Sequence, residues 1–557
     1  MYQEIIEKIK LEHPDKNRLL KIKQQYSKKH KSNIPRDSDV YISASEKDKK
    51  LIKQFTLTKP IRTLSGVAPI SLFPIPMKCA HGTCIFCPGG PGSHFGDVPQ
   101  SYTGNEPASR RAKRNNYNAY LQIFNRLEQY HVNNHSPEKV EIIIQGGTFP
   151  TYPLEYQEQF LTSIYKSLND FSTIFYDKKF NNKKFKEFFE LPADLKNEER
   201  TKRVQEKILS LEIKSNLEKE QKINETSKIR AIAVVVETKP DWCLSNHIDQ
   251  MLKLGTTRVE VGVQSVYNDI LKFNNRGHTI EDTKKSFQLL KDSFLKVTAH
   301  MMLGLPKSDR EKDIYSFKEI FTNQDFLPDS IKIYPCLVMP GTPLYRLWER
   351  KEFTPITTEQ AADIISEIKK FIPKWTRVMR VNRDIPTNFT TSGVDRTNLR
   401  QYVDIKLKER GIKCNCIRCR EPMQKEISWN NIKLNKIQYQ SSNGTEVFLS
   451  IDDMKNDLIL GFCRLRIPFK PFRKEITKNS AGIRELHIYG SLTQLNEIGN
   501  VQHKGLGKQL LQEAEKISKE EFDCKKLLVI SGIGVKQYYK NLGFKYDGYY
   551  MSKQLTI

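Results

Sequence analysis

Acid is scarce in this chain. Against 91 Lys+Arg it sets 65 Asp+Glu, a formal net charge of +26 at pH 7, with a pI near 9.4. A surplus of that size favours a polyanionic partner, because each phosphate contact releases condensed counterions. Lysine outnumbers arginine, so part of the surplus also fits a generally lysine-rich composition. Long hydrophobic runs are missing as well. Nothing approaches the ~18 apolar residues of a membrane helix, and the N-terminal MYQEIIEKIKLEHPDK is charged from the start, without the apolar core of a signal peptide. A soluble, cytoplasmic protein with no membrane contact is expected. Cysteine is too sparse, ten in 557 residues, for a disulfide scaffold. Six of the ten lie in two tight clusters, which points to metal in a reducing compartment. Internal repeats and low-complexity tracts are also lacking.

What is present divides into four parts. Residues 1–64 read as a basic helical region, with apolar residues at helical spacing among many lysines. From 65 to 395 short apolar runs alternate with helical stretches. VEIIIQGG, IAVVVETKP, RVEVGVQS, VTAHMMLGLP and IKIYPCLV read as buried parallel strands, so the class is α/β, either doubly wound or closed as a barrel. In such sheets the chemistry sits at the carboxyl ends of the strands. Residues 166–228, rich in Lys and Glu, interrupt the alternation and read as a helical, partly mobile insertion whose surface is mostly solvated. A Cys-containing linker at 396–430 leads to a second α/β unit at 431–557.

The first cluster, CAHGTCIFCPGG, places Cys79, Cys84 and Cys87 in a C-x4-C-x2-C spacing. Three thiolates are one short of a tetrahedral set. Either zinc takes His81 or His94 as fourth ligand, or a [4Fe–4S] cluster keeps one iron free for a small molecule. The second cluster, Cys414, Cys416 and Cys419, is spaced C-x-C-x2-C and reads as structural zinc pinning the linker, with a histidine as the expected fourth ligand. At the other end of the chain, Gln502 to Gly507 (QHKGLG) opens a helix, where backbone N–H groups and the dipole suit a pyrophosphate.

The first cluster, with Phe86 before its last cysteine and Gly146-Gly147-Thr148 ending the next strong strand, resembles a radical S-adenosylmethionine (SAM) enzyme; the spacing departs from the superfamily's commoner C-x3-C-x2-C. QSYTGNEPASRRAKRNNYNAY, VVVETKPDWC, EVGVQSVYNDI, NNRGHT, AHMMLGLP, SIKIYPCLV and RVMRVNRDIP together are similar to the Elongator protein 3 family, from about residue 55 to the C-terminus apart from the insertion. The resemblance implies a partial (β/α) barrel followed by a GNAT-type acetyltransferase domain. It implies a [4Fe–4S] cluster on Cys79, Cys84 and Cys87, and SAM held by Gly146, Gly147, Thr148, Glu237 and Gln264. Acetyl-CoA falls to Lys139, Glu485, Leu486, His487, Ile488, Leu506, Gly507, Lys508 and Tyr539, with Lys139, Glu485 and Tyr539 as candidate catalytic residues. The family also carries a zinc motif similar to the second cluster.

The implied reaction is hydrogen abstraction from the acetyl methyl, addition of the carbon radical to C5 of the wobble uridine of tRNA, and thioester hydrolysis to 5-carboxymethyluridine. The tRNA anticodon stem-loop would then be the polyanion that the charge calls for, gripped by the N-terminal helices with Arg110, Arg111, Lys113 and Arg114. The rival is a protein lysine acetyltransferase with a vestigial first domain and Glu485 as general base. One departure is Lys239 in ETKPD, where the family commonly has Arg; lysine keeps the charge and loses the bidentate fork. Action alone, as a homodimer or with accessory subunits is left open.

Overall fold

The structure, a computed structural model, describes residues 2–57, 65–194, 197–423, 425–489 and 505–555. Helices Gln3–Glu12, Lys16–Lys29, Asp37–Ser43 and Glu46–Thr56 come first. Asp15 and Ser45 cap the second and fourth by accepting from backbone N–H groups. Ile5, Ile6, Ile9, Leu19, Ile22, Val40, Ala44 and Ile52 give these helices a small core of their own.

Seven strands then build one parallel sheet: β1 (Val67–Leu72), β4 (Lys139–Ile144), β5 (Arg230–Thr238), β6 (Arg258–Gln264), β7 (Lys296–Leu303), β8 (Ser330–Pro335) and β9 (Arg377–Val381). A two-stranded ribbon, β2 (Gly90–Ser93) and β3 (Gly96–Val98), sits in the loop after β1. All five runs read as strands are strands, and β1 and β9 join them at the edges. The sheet order is the chain order. Because crossovers are right-handed, strands laid down in sequence put every connecting helix on one face. A doubly wound sheet would reverse direction part-way, so this order means a curled half-barrel whose other face is an interior.

That interior is not apolar. Residues alternate faces along a strand, and one face of β6 to β8 carries Arg258, Glu260, Gly262 and Gln264, then His300, then Lys332 and Tyr334. The outer face packs Val259, Val261, Ala299, Met301, Ile331 and Ile333 under the helices.

The 166–228 stretch begins within helix Leu154–Phe175 and continues through helices Asn182–Phe188, Glu198–Leu209 and Leu217–Asn224. It is helical with its charges outward, and beneath them Phe171, Phe175, Phe185 and Phe189 are fully buried and merge with the main core, while Arg200 is buried against Glu128 at 2.5 Å. Lys and Glu line the outside of an aromatic wedge.

The second sheet runs β10 (Ile432–Ser441), β11 (Gly444–Asp453), β12 (Leu458–Ile467), β13 (Ser480–Ile488), β14 (Lys526–Val529), β16 (Tyr550–Gln554) and β15 (Lys545–Asp547). It is antiparallel except between β13 and β14. It meets the half-barrel through apolar packing, with Leu528, Ile533 and Tyr550 in the main core, and through buried ion pairs. Arg466 meets Asp292 at 2.6 Å, Arg484 meets Asp329 at 2.5 Å, and Lys296 at the start of β7 pairs with Glu485. Among the described residues no helix is long and apolar enough to cross a membrane.

Candidate active site

The loop between β1 and β2 folds over the carboxyl ends of the strands and lines a cleft with Cys79, Cys84 and Cys87. Cys84 Sγ accepts from Arg276 Nη1 at 3.1 Å, and Cys87 Sγ accepts from the Ser101 N–H at 3.3 Å. Burial and the two neighbouring thiols push the Cys79 thiol up to about 12, so a cation is needed to stabilise three thiolates here. Three sulfurs lining one cleft, two of them buried and met by N–H donors, fit an iron–sulfur cluster with one iron unligated by protein. His81 lies 3.2 Å from Cys84 Sγ, and burial with the nearby Lys239 and Arg276 charges pushes it down to about 3. His94, the other histidine considered for a zinc site, is exposed beside Phe95 and Gly341 and does not line the cleft.

The strand ends bring the predicted SAM residues to the same cleft. Gly146 and Gly147 have φ of +116° and +107°, a backbone only glycine adopts readily. A Cβ on Gly147 would stand 2.9 Å from Gln100 Cβ and 3.5 Å from Cys79 Sγ. The two glycines thus let the end of β4 pass directly beneath the cysteine loop. Thr148, Glu237 and Gln264 line the cleft as well. Glu237 accepts from Tyr102 Oη at 3.3 Å and from Gln145 Nε2 and the Gly146 N–H at 3.4 Å. Gln264 has φ of +71° and a buried Oε1 with no partner, an acceptor held ready for a ligand.

Beneath them runs a charged ladder: Glu141–Arg258 at 3.0 Å, Arg258–Glu260 at 3.3 Å, Glu260–His300 at 3.0 Å, Glu260–Lys332 in close contact, and Lys332–Glu237 at 3.9 Å. Burial opposes ionisation of Glu260, and Lys332, His300 and Arg258 more than offset it, holding the carboxyl well below the usual range. Glu237 apart, these ladder residues escaped the sequence reading. The available signal was a charge at alternate positions of RVEVGVQ and SIKIYP, which ordinary buried strands do not carry.

The residues expected to bind acetyl-CoA lie elsewhere, all but Lys139 in the second sheet and its helices. β13 pairs with β12 along Glu485–Ile488 but with β14 only over Ser480–Ile483. Its backbone edge beyond Ile483 is therefore splayed from β14. Gly505, with φ of +79°, caps helix Leu506–Glu520, and a Cβ on Gly507 would lie 3.4 Å from Tyr538 Oη and 3.6 Å from Ile488. Strand end, helix start and Tyr538 thus converge, with Lys508 exposed beside them. Leu486 and Ile488 pack against the core of this sheet. Tyr539 points into that same core, and its neighbour Tyr538, missed in the sequence, is the tyrosine at the helix start. His487 is stacked on Phe462 and pushed down to about 4 by burial. Burial works against a charged Glu485, yet Lys296 and Arg464 hold its carboxyl at about 2, too weakly basic for proton abstraction near neutral pH. Gln502, His503 and Lys504 lie outside the described residues. Lys139 starts β4, at the opposite end from Gly146. It pairs in register with Arg230, against which Gly534 packs, so it faces the C-terminal unit rather than the cysteine loop.

The sulfurs of Cys414, Cys416 and Cys419 lie within 4.8 Å of one another, and among the described residues no histidine joins them. Lys369 Nζ, 3.6 Å from Cys419 Sγ, is the neighbour instead. Lys239 makes one ion pair, with Asp241 at 3.2 Å, within its own signature. Of the expected phosphate contacts, Arg110, Lys113 and Arg114 are exposed, whereas Arg111 is buried and bonded to the Ser71 carbonyl.

A three-cysteine loop over the carboxyl ends of a parallel half-barrel, with a Gly-Gly turn beneath it, defines a radical SAM enzyme. The Radical SAM superfamily matches residues 74–317, and its C-terminal domain matches 328–409. That superfamily carries a [4Fe–4S] cluster and SAM, which Cys79, Cys84 and Cys87 and the strand ends suit. A tRNA uridine(34) acetyltransferase of Methanocaldococcus jannaschii is 47% identical over 97% of this chain and 94% of its own length. Elongator complex protein 3 of Saccharomyces cerevisiae is 38% identical over 95% and 91%. The solved Elp3 of Methanocaldococcus infernus lacking residues 1–46 covers 88% of this chain and all of its own, at 41% identity and a TM-score of 0.72. The chain belongs to the Elongator protein 3 family.

Proposed function

We propose that this enzyme forms 5-carboxymethyluridine at the wobble position of tRNA, taking the two-carbon unit from acetyl-CoA. The observation that carries this reading is the presence in one chain of a complete cluster cleft and a splayed strand beside a glycine-capped helix, joined through buried ion pairs. The curated relatives' names supply the substrate, uridine 34 of tRNA.

Cys79, Cys84 and Cys87 would hold the cluster, which with SAM supplies a 5′-deoxyadenosyl radical when bound. Glu237, which accepts from three donors, is suited to a cationic or hydroxyl group of SAM, and Gln264 Oε1 offers a second acceptor. The C-terminal sheet is read as a GNAT-type domain, in which the free edge of β13 bonds pantetheine and the Gly505–Lys508 helix start receives the pyrophosphate. Lys139, at the base of the half-barrel, adds a cation on the side that faces that unit. Cys414, Cys416 and Cys419 would hold structural zinc, with a fourth ligand other than histidine. Four parts divide the work: 1–64 with exposed Arg110, Lys113 and Arg114 for tRNA, 65–395 for the radical, 396–430 as linker, and 431–557 for acetyl-CoA. The lysine acetyltransferase alternative needs Glu485 as a base, and its two cationic partners make it a poor one.

The test is anaerobic: iron-loaded protein, dithionite, SAM, acetyl-CoA and bulk tRNA, followed by nucleoside mass spectrometry. Carboxymethyluridine that requires SAM and disappears in Cys84→Ala is expected. Acetylation of a lysine peptide without SAM, and no modified nucleoside, would overturn the proposal.

A further inference from the structure

Tyr102, Tyr334, Arg380, Arg383 and Asp384 form the wall of the cleft on the β8–β9 side, away from the cysteine loop. The Arg383 guanidinium lies over both tyrosine rings, 5.6 Å from Tyr102 and 5.8 Å from Tyr334, and is tethered to the Ser101 carbonyl. Tyr334 is braced edge-on by His300 at 5.4 Å. Two tyrosines with a planar cation between them make a platform for a flat conjugated ring; bases splayed from single-stranded RNA stack on aromatic rings and arginine planes.

Beside the platform, Arg380 Nη1 and Asp384 Oδ2 pair at 2.7 Å. Their side chains keep 39% and 58% of their exposure, so a ligand entering the cleft reaches both. The pair sets an N–H donor next to a carboxylate acceptor, and Arg383 adds a second donor. The Watson–Crick edge of uracil reads acceptor, donor, acceptor across O2, N3–H and O4. Donor, acceptor, donor is its complement. Cytosine offers a lone pair at N3 and a donor at N4, so it would put a lone pair against the carboxylate.

We propose that Arg380, Asp384 and Arg383, with Tyr334 as stacking platform, form the nucleobase subsite and select uracil over cytosine at the modified position. This rests on the tRNA reading above and adds the residues that recognise the base. Asp384 is the specificity-determining group, because it alone distinguishes N3–H from a bare N3. Tyr334 contributes affinity without base preference, since every base has a stacking face.

The experiment measures binding of two anticodon stem-loops, identical except for U or C at position 34, to the full-length iron-loaded protein under anaerobic conditions. Wild type is expected to prefer the U-bearing loop by roughly 10- to 100-fold, the range of a well-made base-edge contact. Asp384→Asn, whose amide can donate to N3 of cytosine, should bring that ratio close to 1. Arg380→Gln should lower it several-fold and serves as the second variant. Tyr334→Leu should weaken both loops equally, and Tyr334→Phe should restore them. A merely structural role for Asp384 would weaken both loops and leave the ratio alone. An unchanged ratio in both Asp384→Asn and Arg380→Gln overturns the subsite while leaving the proposed reaction standing. Wild type that binds neither loop nor whole tRNA overturns both.

Discussion

Replacing Lys296 by Met tests how the two units are held together. Lys296 is the first residue of β7 and pairs with Glu485 on β13, which also accepts from Arg464 Nε at 2.9 Å. Burial by itself would raise the Glu485 carboxyl, and the two cations outweigh it, bringing it to about 2 against 4.5 for an ordinary glutamate. A depression of that size corresponds to about 3 kcal/mol of stability at pH 7. With Arg464 still in place, Lys296→Met should cost about 2 kcal/mol. Because the folded carboxyl titrates below its unfolded value, the contribution is full above about pH 4.5 and fades as the pH falls toward 2. The difference between wild type and variant should therefore shrink on acidification. Lys296→Met/Glu485→Gln removes both charges and should recover most of the loss, since no carboxylate is left buried with one partner too few. Urea midpoints at pH 7 and pH 4 give the answer. A single variant within about 0.5 kcal/mol of wild type at pH 7, or a double variant as unstable as the two singles summed, would refute the reasoning.

Two further outcomes are expected. Gly147→Ala must place a side chain at φ of +107° and 2.9 Å from Gln100 Cβ; with about 1–3 kcal/mol of strain at such a position, SAM affinity of the iron-loaded protein should fall about tenfold or more by equilibrium dialysis, with the far-ultraviolet dichroism unchanged. Cys416→Ser should lower bound zinc by elemental analysis and the stability of the linker, while iron on the Cys79–Cys87 loop stays constant; loss of both metals together would sink the assignment of two independent sites.

Much of the site was legible because it depends on local chemistry. Three cysteines within nine residues can only crowd one place, and a Gly-Gly after an apolar run marks a strand end with an unusual backbone. The five strong strands were readable for the same reason, since their outer faces must be apolar to carry helices. Edge strands β1 and β9 were weaker because each has a neighbour on one side only, and their alternation is diluted by polar positions. Arg111 and Tyr539 show the limit of motif matching: Arg111 is buried while the other three expected cations, Arg110, Lys113 and Arg114, are exposed, and Tyr539 is buried while its neighbour Tyr538 lies at the helix start.

Spacing, composition and turn chemistry were enough to determine the α/β class of each unit, the cysteine loop and its glycine turn, and a cationic surplus that suits a polyanionic partner. The tertiary structure decided what depends on residues distant in the chain. It decided that the sheet curls instead of winding twice, because that follows from strand order. It decided that Glu485 is locked by Lys296 from 189 positions away, and so is a poor base. It placed Arg383 beside Tyr102, and Arg466 on Asp292. Whether a buried charge is a reactive group or a structural pin is set by the partner that meets it, and that partner is chosen by the fold.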